Sequence, residues 1–139
     1  MLTKYLTKFS NLVEKKVIES NWVPGALDFL KVNSKKSILF IVTATPQKEI
    51  ENIINKLNIS HYFKHVIGSP TSKIEAVKSI VYKFKIKKEE TLMIGDTKTD
   101  YFAAEKNKIS FILRKTNLNV QLQKKLNCNM INDFKDLNW

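Results

Sequence analysis

The feature that most constrains the fold of this 139-residue chain is a regular alternation of short apolar segments with amphipathic ones. Branched apolar residues predict strands at residues 37–42, 65–68, 91–94 and 110–113. Apolar residues at helical spacing predict helices over residues 47–57, 72–84 and 101–105. Such alternation indicates βαβ units, so we expect an α/β domain with a mostly parallel sheet covered by helices on both faces.

Both ends of the chain continue this pattern less regularly. Apolar residues at helical spacing predict an amphipathic helix over about residues 3–20, which Pro24 and Gly25 end. Pro24 suits the first position of a second, short helix. From Leu118 onward the sequence predicts a helix, a short strand near residues 130–131 and a final turn to the C-terminus.

Composition narrows the class of protein. The chain is 43% hydrophobic, as in globular proteins, and no apolar run is long enough to span a membrane. The single cysteine, Cys128, has no partner for a disulfide, which fits a cytoplasmic protein. The net charge of +11 suggests nucleic acid, but Arg114 is the only arginine and the lysines are scattered, so we disfavour that reading.

One strong local signal is the segment that follows the third predicted strand. Gly95 and Asp96 end that strand, and Asp100 follows at the start of a helix. Two carboxylates so placed can converge on Mg²⁺, which prefers oxygen ligands and retains several waters. The structural alternative is that Asp96 begins a loop and Asp100 caps the helix.

Two further strand ends carry groups suited to an anion. Thr43 and Ala44 follow the first of these strands, where a hydroxyl and backbone N–H groups could hold a phosphate oxygen. The alternative is a helix cap at Thr45 with Pro46 at the first helical position. Lys73 follows the loop after the second strand and could place a positive charge on a phosphoryl group, although a lysine is usually a solvated surface charge. Before it, Ser72 and Glu75 form a predicted capping box.

Joined in order, these signals resemble the second, third and fourth motifs of the haloacid dehalogenase-like hydrolases, especially the phosphoglycolate-phosphatase-like members. The similar stretch covers residues 23–114. The resemblance implies a Rossmannoid three-layer α/β/α core over residues 23–139, preceded at residues 1–22 by a remnant of a helical cap.

The resemblance also implies a role for each site residue. Thr43 would bind phosphoryl oxygens with help from the backbone amide of Ala44, where family members often carry asparagine. Lys73 would neutralise the nucleophile and the phosphate. Asp96 would bind Mg²⁺ directly, and Asp100 would assist in the metal shell or orient its waters. The substrate would be a small phosphorylated metabolite.

One family motif is absent from the sequence. The family's nucleophile lies in an Asp-x-Asp-x-Thr-like segment at the end of the first, central strand. Here the only aspartate before Thr43 is Asp28, inside a predicted helix. We therefore expect a core without its first strand and most of its cap, and very low or no turnover.

The absent motif also affects how the chain would assemble, and two other functions stay open. The missing strand would leave unpaired strand edges, so we expect that the first helix folds into the gap, that another chain supplies a strand, or that the protein self-associates. In place of an enzyme core, the chain could be a non-catalytic module that binds phosphate or metal in a regulatory role. A basic nucleic-acid-binding domain is the less favoured alternative.

Overall fold

The computed structural model describes the backbone of residues 4–7 and all of residues 22–137. Its strands and helices alternate along the chain. In chain order they are β1 Lys4–Thr7, α1 Ala26–Asn33, β2 Leu39–Pro46, α2 Gln47–Lys56, β3 His65–Ser69, α3 Lys73–Lys83, β4 Thr91–Gly95, α4 Lys98–Lys106, β5 Ser110–Arg114, α5 Val120–Lys125 and β6 Asn129–Ile131. Single turns of 3₁₀-helix lie at Ser60–Tyr62, Lys88–Glu90 and Phe134–Asp136.

The six strands form one parallel sheet in the order β3-β2-β1-β4-β5-β6. β1 lies in the middle, where Thr7 is level with Ile41 of β2 on one side and with Ile94 of β4 on the other. Because all strands run the same way, their carboxyl ends meet at one edge of the sheet. That edge is where chemistry is expected in a fold of this kind.

The N-terminal residues correct one prediction. Residues 4–7 form the central strand, so the helix predicted over residues 3–20 is wrong for these four residues, and the rest of that segment lies outside the described residues. The same four residues belong to the core sheet and not to a separate cap remnant. The gap expected between β2 and β4 is filled, so the unpaired inner edges that suggested a strand-supplying partner are not present there.

Helices cover both faces of the sheet, because successive residues of each strand point to opposite sides. On β2, Leu39 and Ile41 pack in a cluster with residues of α1 and α2. Phe40 and Val42 pack on the other face, in a cluster with residues of α3 and α4. The three-layer α/β/α class predicted from the sequence is confirmed.

From residue 22 onward, the predicted elements agree with the observed ones to within a few residues. Ser72 caps α3 as expected, with its hydroxyl accepting from the N–H of Glu75 at 3.2 Å. The predicted cap at Thr45 is wrong: α2 begins at Gln47, and its N-cap is Pro46, which makes no side-chain cap bond. Within the described part of the chain, no helix is both long and apolar enough to cross a membrane.

Candidate active site at the carboxyl edge of the sheet

Two of the predicted site residues, Thr43 and Asp96, lie near the carboxyl ends of the two strands that flank β1. Thr43 is two residues beyond Ile41, and Asp96 is two residues beyond Ile94, while both isoleucines are level with Thr7. Neighbouring strands lie about 4.8 Å apart, so the backbones at Thr43 and Asp96 are separated by about 10 Å across one intervening strand. The fold thus places the hydroxyl and the carboxylate on either side of the central strand.

Asp100 is the most buried charged group of the site, with no exposed surface. Its Oδ2 accepts from the backbone N–H groups of Asp96 and Thr97, each at 3.1 Å. In return, Thr97 Oγ1 accepts from the N–H of Asp100, which completes a capping box at the start of α4. Gly95 makes room for this arrangement, since a Cβ atom there would lie 2.4 Å from Cβ of Asp100. The carboxylate therefore fixes the loop between β4 and α4.

Lys73 reaches this carboxylate from the start of α3. Its Nζ lies 2.9 Å from Oδ1 of Asp100, and its side chain is 10% exposed. That oxygen accepts no hydrogen bond of good geometry from the described residues, so the contact with Lys73 is an ion pair held by charge. Nζ also donates to Oγ1 of Thr99 at 2.8 Å and, more weakly, to Oγ1 of Thr97 at 3.5 Å. The ammonium group is thus held in a fixed position at the site.

The end of β2 forms a second polar corner. Thr43 is buried, and its hydroxyl donates to Oγ1 of Thr45 at 3.2 Å while it accepts from the N–H of Thr45 at the same distance. Ala44 between them is exposed. The side chain of Thr43 makes no contact with Lys73, Asp96 or Asp100 among the hydrogen bonds and ion pairs of the described residues. The fold joins Lys73 to Asp100 and Asp100 to the backbone of Asp96, and it brings Thr43 only to the same edge.

Two positioning side chains were not predicted from the sequence. Gln47 accepts from the N–H of Gly68 at 2.6 Å and donates to the carbonyl of Val66 at 2.9 Å, which bridges β3 where its pairing with β2 is irregular. Asn119 donates to the carbonyl of Asp96 at 2.8 Å. Neither Gln47 nor Asn119 is part of a recognisable sequence motif. The one sequence signal was their position, since each stands in a segment between a strand and a helix or at the start of the helix.

The comparison with known families decides the class of protein. The sequence model of the family described as haloacid dehalogenase-like hydrolase matches residues 1–114. The chain belongs to this family. The motif resemblance drawn from the sequence is confirmed.

Relatives of this haloacid dehalogenase-like chain include phosphatases. A phosphoglycolate phosphatase of Vibrio cholerae serotype O1 is 32% identical in an alignment of 81 residues, and the match covers 55% of this chain and 36% of that protein. A protein of Haemophilus somnus described as a predicted phosphoglycolate phosphatase has a similar structure, with a TM-score of 0.71 and 24% identity over 84% of this chain and 55% of that one. The match thus covers 36% of the Vibrio protein and 55% of the Haemophilus protein, so this chain spans less than two thirds of the length of either.

A solved structure of similar size also shares the fold. A Bacteroides fragilis protein that carries the haloacid dehalogenase-like hydrolase name superposes with a TM-score of 0.79 at 15% identity, over 99% of this chain and 100% of that one. At this identity the likeness concerns the fold alone. It shows that a similar fold occurs in another chain that is covered over its whole length.

Hydrolases of this family generally use Mg²⁺, and the residues at hand fit such an ion in part. The described residues contain no group of three or more acidic, histidine or cysteine side chains that could hold a metal. Mg²⁺ in phosphate sites is nevertheless usually held by one or two carboxylates, together with waters and substrate oxygens. Asp100 already uses both of its oxygens within the protein, which leaves Asp96 as the better candidate for direct contact.

Proposed function

We propose that this chain binds Mg²⁺ and the phosphoryl group of a small phosphorylated metabolite, and hydrolyses the ester very slowly or not at all. The observation that carries the proposal is the ion pair of Lys73 with buried Asp100, 2.9 Å apart, beside the strand end that carries Asp96. This arrangement holds a positive charge and a carboxylate at the edge where a phosphate would bind. Phosphoryl transfer depends mainly on such positioning and charge neutralisation.

Each residue would have a separate role. Thr43 and the backbone amide of Ala44 would donate to phosphoryl oxygens, and Lys73 would offset their charge. Asp96 would bind Mg²⁺, which would stabilise negative charge on the phosphoryl group. Asp100 would hold Lys73 and the Asp96 backbone in place, which agrees better with its contacts than a direct bond to the metal.

The proposed lack of turnover rests on the residues that follow the central strand. In the family, an aspartate at this strand end attacks phosphorus and forms an aspartyl-phosphate. Here Thr7 is followed in the sequence by Lys8, Phe9 and Ser10, and the first acidic residue of the chain is Glu14. A strand in the central position without an acid near its end offers no carboxylate that could form an aspartyl-phosphate.

A second candidate function, a regulatory module that binds a phosphate ligand, is favoured by the same pair of observations. Lys73, the proposed phosphate-binding cation, is held in place by Asp100, whereas the sequence has no acidic residue between Thr7 and Glu14. Such a module would be stabilised by phosphate through mass action and would release no product. A cytoplasmic location, which the single Cys128 suggests, would supply such ligands.

The test combines turnover with binding. We would measure Mg²⁺-dependent hydrolysis of p-nitrophenyl phosphate, and Mg²⁺ binding by calorimetry, for the wild type, Asp96→Asn and Asp28→Asn. Asp28 is an exposed acid on α1 and controls for the change in net charge. We expect Mg²⁺ binding that Asp96→Asn abolishes and Asp28→Asn preserves, with no hydrolysis above the Asp96→Asn background.

The other outcomes separate the parts of the proposal. Hydrolysis that Asp96→Asn abolishes would show that the chain contains a working nucleophile, and the proposed inactivity would be wrong. Absence of Mg²⁺ binding would contradict the metal part. Thermal stabilisation by inorganic phosphate without turnover would favour the regulatory module, provided that Lys73→Met removes the stabilisation.

A further inference from the structure

Asn119 is a buried amide whose hydrogen-bonding capacity is fully used. The residue is 8% exposed. Its Nδ2 donates to the carbonyls of Asp96 and Arg114, both at 2.8 Å. Its Oδ1 accepts from the N–H of Thr116 at 2.9 Å and from Nε2 of Gln123 at 2.7 Å. Four bonds to four residues fold the segment between β5 and α5 around this one side chain.

Only one of these bonds leaves the segment, and it ends at the proposed metal ligand. Asp96 lies 23 positions earlier in the chain, directly after β4, the neighbour of β5 in the sheet. Its backbone N–H donates to Asp100, and its carbonyl accepts from Asn119. Both polar groups of the Asp96 peptide backbone are therefore bonded to side chains, one from each side of the loop.

Such a double restraint limits the directions in which the Asp96 side chain can project. A ligand held at fixed orientation binds a metal more tightly, because less conformational freedom is lost on binding. Residues that hold metal ligands through hydrogen bonds typically change metal affinity by 10- to 100-fold when they are removed. The bond to a carbonyl, rather than to the carboxylate, leaves the charge of Asp96 unaltered.

We infer that Asn119 is a positioning residue that holds the Asp96 backbone so that its carboxylate faces Mg²⁺. The inference deepens the proposed function and depends on it for the identity of the metal. The segment between β5 and α5 would thus take part in the site.

The chain offers a matched control in Gln123. Gln123→Ala removes bonds to Thr116 and Asn119 within the same segment but leaves the bond from Asn119 to Asp96. We would measure the Kd for Mg²⁺ by calorimetry and Tm for Asn119→Ala, Gln123→Ala and the wild type. Asn119→Ala is expected to raise Kd about tenfold. Gln123→Ala is expected to lower Tm without changing Kd.

A second measurement tests the restraint without the metal. Amide hydrogen exchange in metal-free protein reports on the N–H groups of Asp96 and Thr97, which both donate to Asp100. Asn119→Ala should speed their exchange about fivefold, the effect of one lost hydrogen bond, while Gln123→Ala should not.

The outcomes distinguish this inference from the proposed function. If the wild type binds no Mg²⁺, the proposed metal site is wrong, but the exchange rates still test the restraint. If Mg²⁺ binds and Asn119→Ala leaves Kd and exchange unchanged, the role of Asn119 is refuted while the metal site stands. Equal effects of the two variants on Kd would also refute it, because the integrity of the whole segment would then be the cause.

Discussion

Nζ of Lys73 lies 2.9 Å from Oδ1 of Asp100, and this contact joins the starts of α3 and α4 at the edge of the sheet. Asp100 is fully buried and the side chain of Lys73 is 10% exposed, so both charges are largely removed from water. A buried ion pair adds little stability over apolar residues of the same size, but loss of one partner is costly. The stability of the protein should therefore depend on keeping both members of this pair.

Removal of the lysine charge should destabilise the fold. Lys73→Met leaves the Asp100 carboxylate buried with two backbone donors and no cation, so the free energy of unfolding should fall by about 3 kcal/mol. Urea-induced unfolding followed by circular dichroism measures this change. Lys78→Met, at an exposed position of the same helix, is the control and should alter stability by no more than about 0.5 kcal/mol. An equal loss in the free energy of unfolding in both variants would show that the ion pair contributes no more to stability than an exposed lysine does.

A side chain at Gly95 should destabilise the fold. Gly95→Ala would bring Cβ to 2.4 Å from Cβ and 2.6 Å from Oδ2 of Asp100, so either β4 or α4 must shift. We expect a loss of about 1 to 3 kcal/mol in the free energy of unfolding, the usual cost of overpacking. A double-mutant cycle with Asp100→Gly identifies the cause, because Gly95→Ala should cost less in that background. Strict additivity would contradict the proposed clash.

Much of the fold could be predicted from the sequence, because strands and helices alternate with clear apolar periods. As predicted, Lys73 follows the loop after β3 and Asp96 follows β4, and the parallel sheet brings both to one edge. Residues 4–7 were the exception. Four residues are too few to distinguish a period of 2 from one of 3.6, and their strand conformation depends on pairing with β2 and β4, which are distant in sequence.

The supporting side chains of the site could not be predicted for a related reason. The bond from Asn119 to Asp96 joins residues 23 positions apart, and the bond from Gln47 to Gly68 joins residues 21 apart. Neither residue belongs to a motif or to an apolar stripe. Their roles arise from the course of the backbone after folding, which local patterns do not report.

Gln47 should stabilise the irregular pairing of β3. Gln47→Ala removes the acceptor for Gly68 and the donor for Val66, so we expect a loss of about 1 to 2 kcal/mol in the free energy of unfolding. Lys48→Ala, at the exposed neighbouring position, controls for changes in α2 itself. Urea unfolding of both variants measures the difference. A loss in Lys48→Ala as large as that in Gln47→Ala would place the effect in the helix and not in the bridge to β3.

His65 should make the protein less stable in mild acid. Partial burial lowers the pKa of His65 below its usual value of 6.5, and the positive charge of Lys83 lowers this pKa further. The folded state thus favours the neutral ring, so its contribution to stability is complete above pH 6.5 and is lost as the pH falls through the lower folded pKa. Between pH 7.5 and 5.5 the wild type should lose more free energy of unfolding than His65→Phe, which keeps an aromatic ring and does not titrate.

Nuclear magnetic resonance can assign this pKa to its causes. The titration midpoint of His65 should lie below 6.5 in the wild type. Lys83→Met should raise the midpoint but leave it below 6.5, because burial is the larger cause. Lys124→Met makes the same change in net charge on α5, which follows β5. Because β5 and β3 lie on opposite sides of the central strand, this variant should leave the midpoint unchanged. A midpoint at or above 6.5 in the wild type would refute the expected acid sensitivity. An equal change of the midpoint in Lys83→Met and Lys124→Met would show that the effect of Lys83 is one of net charge alone.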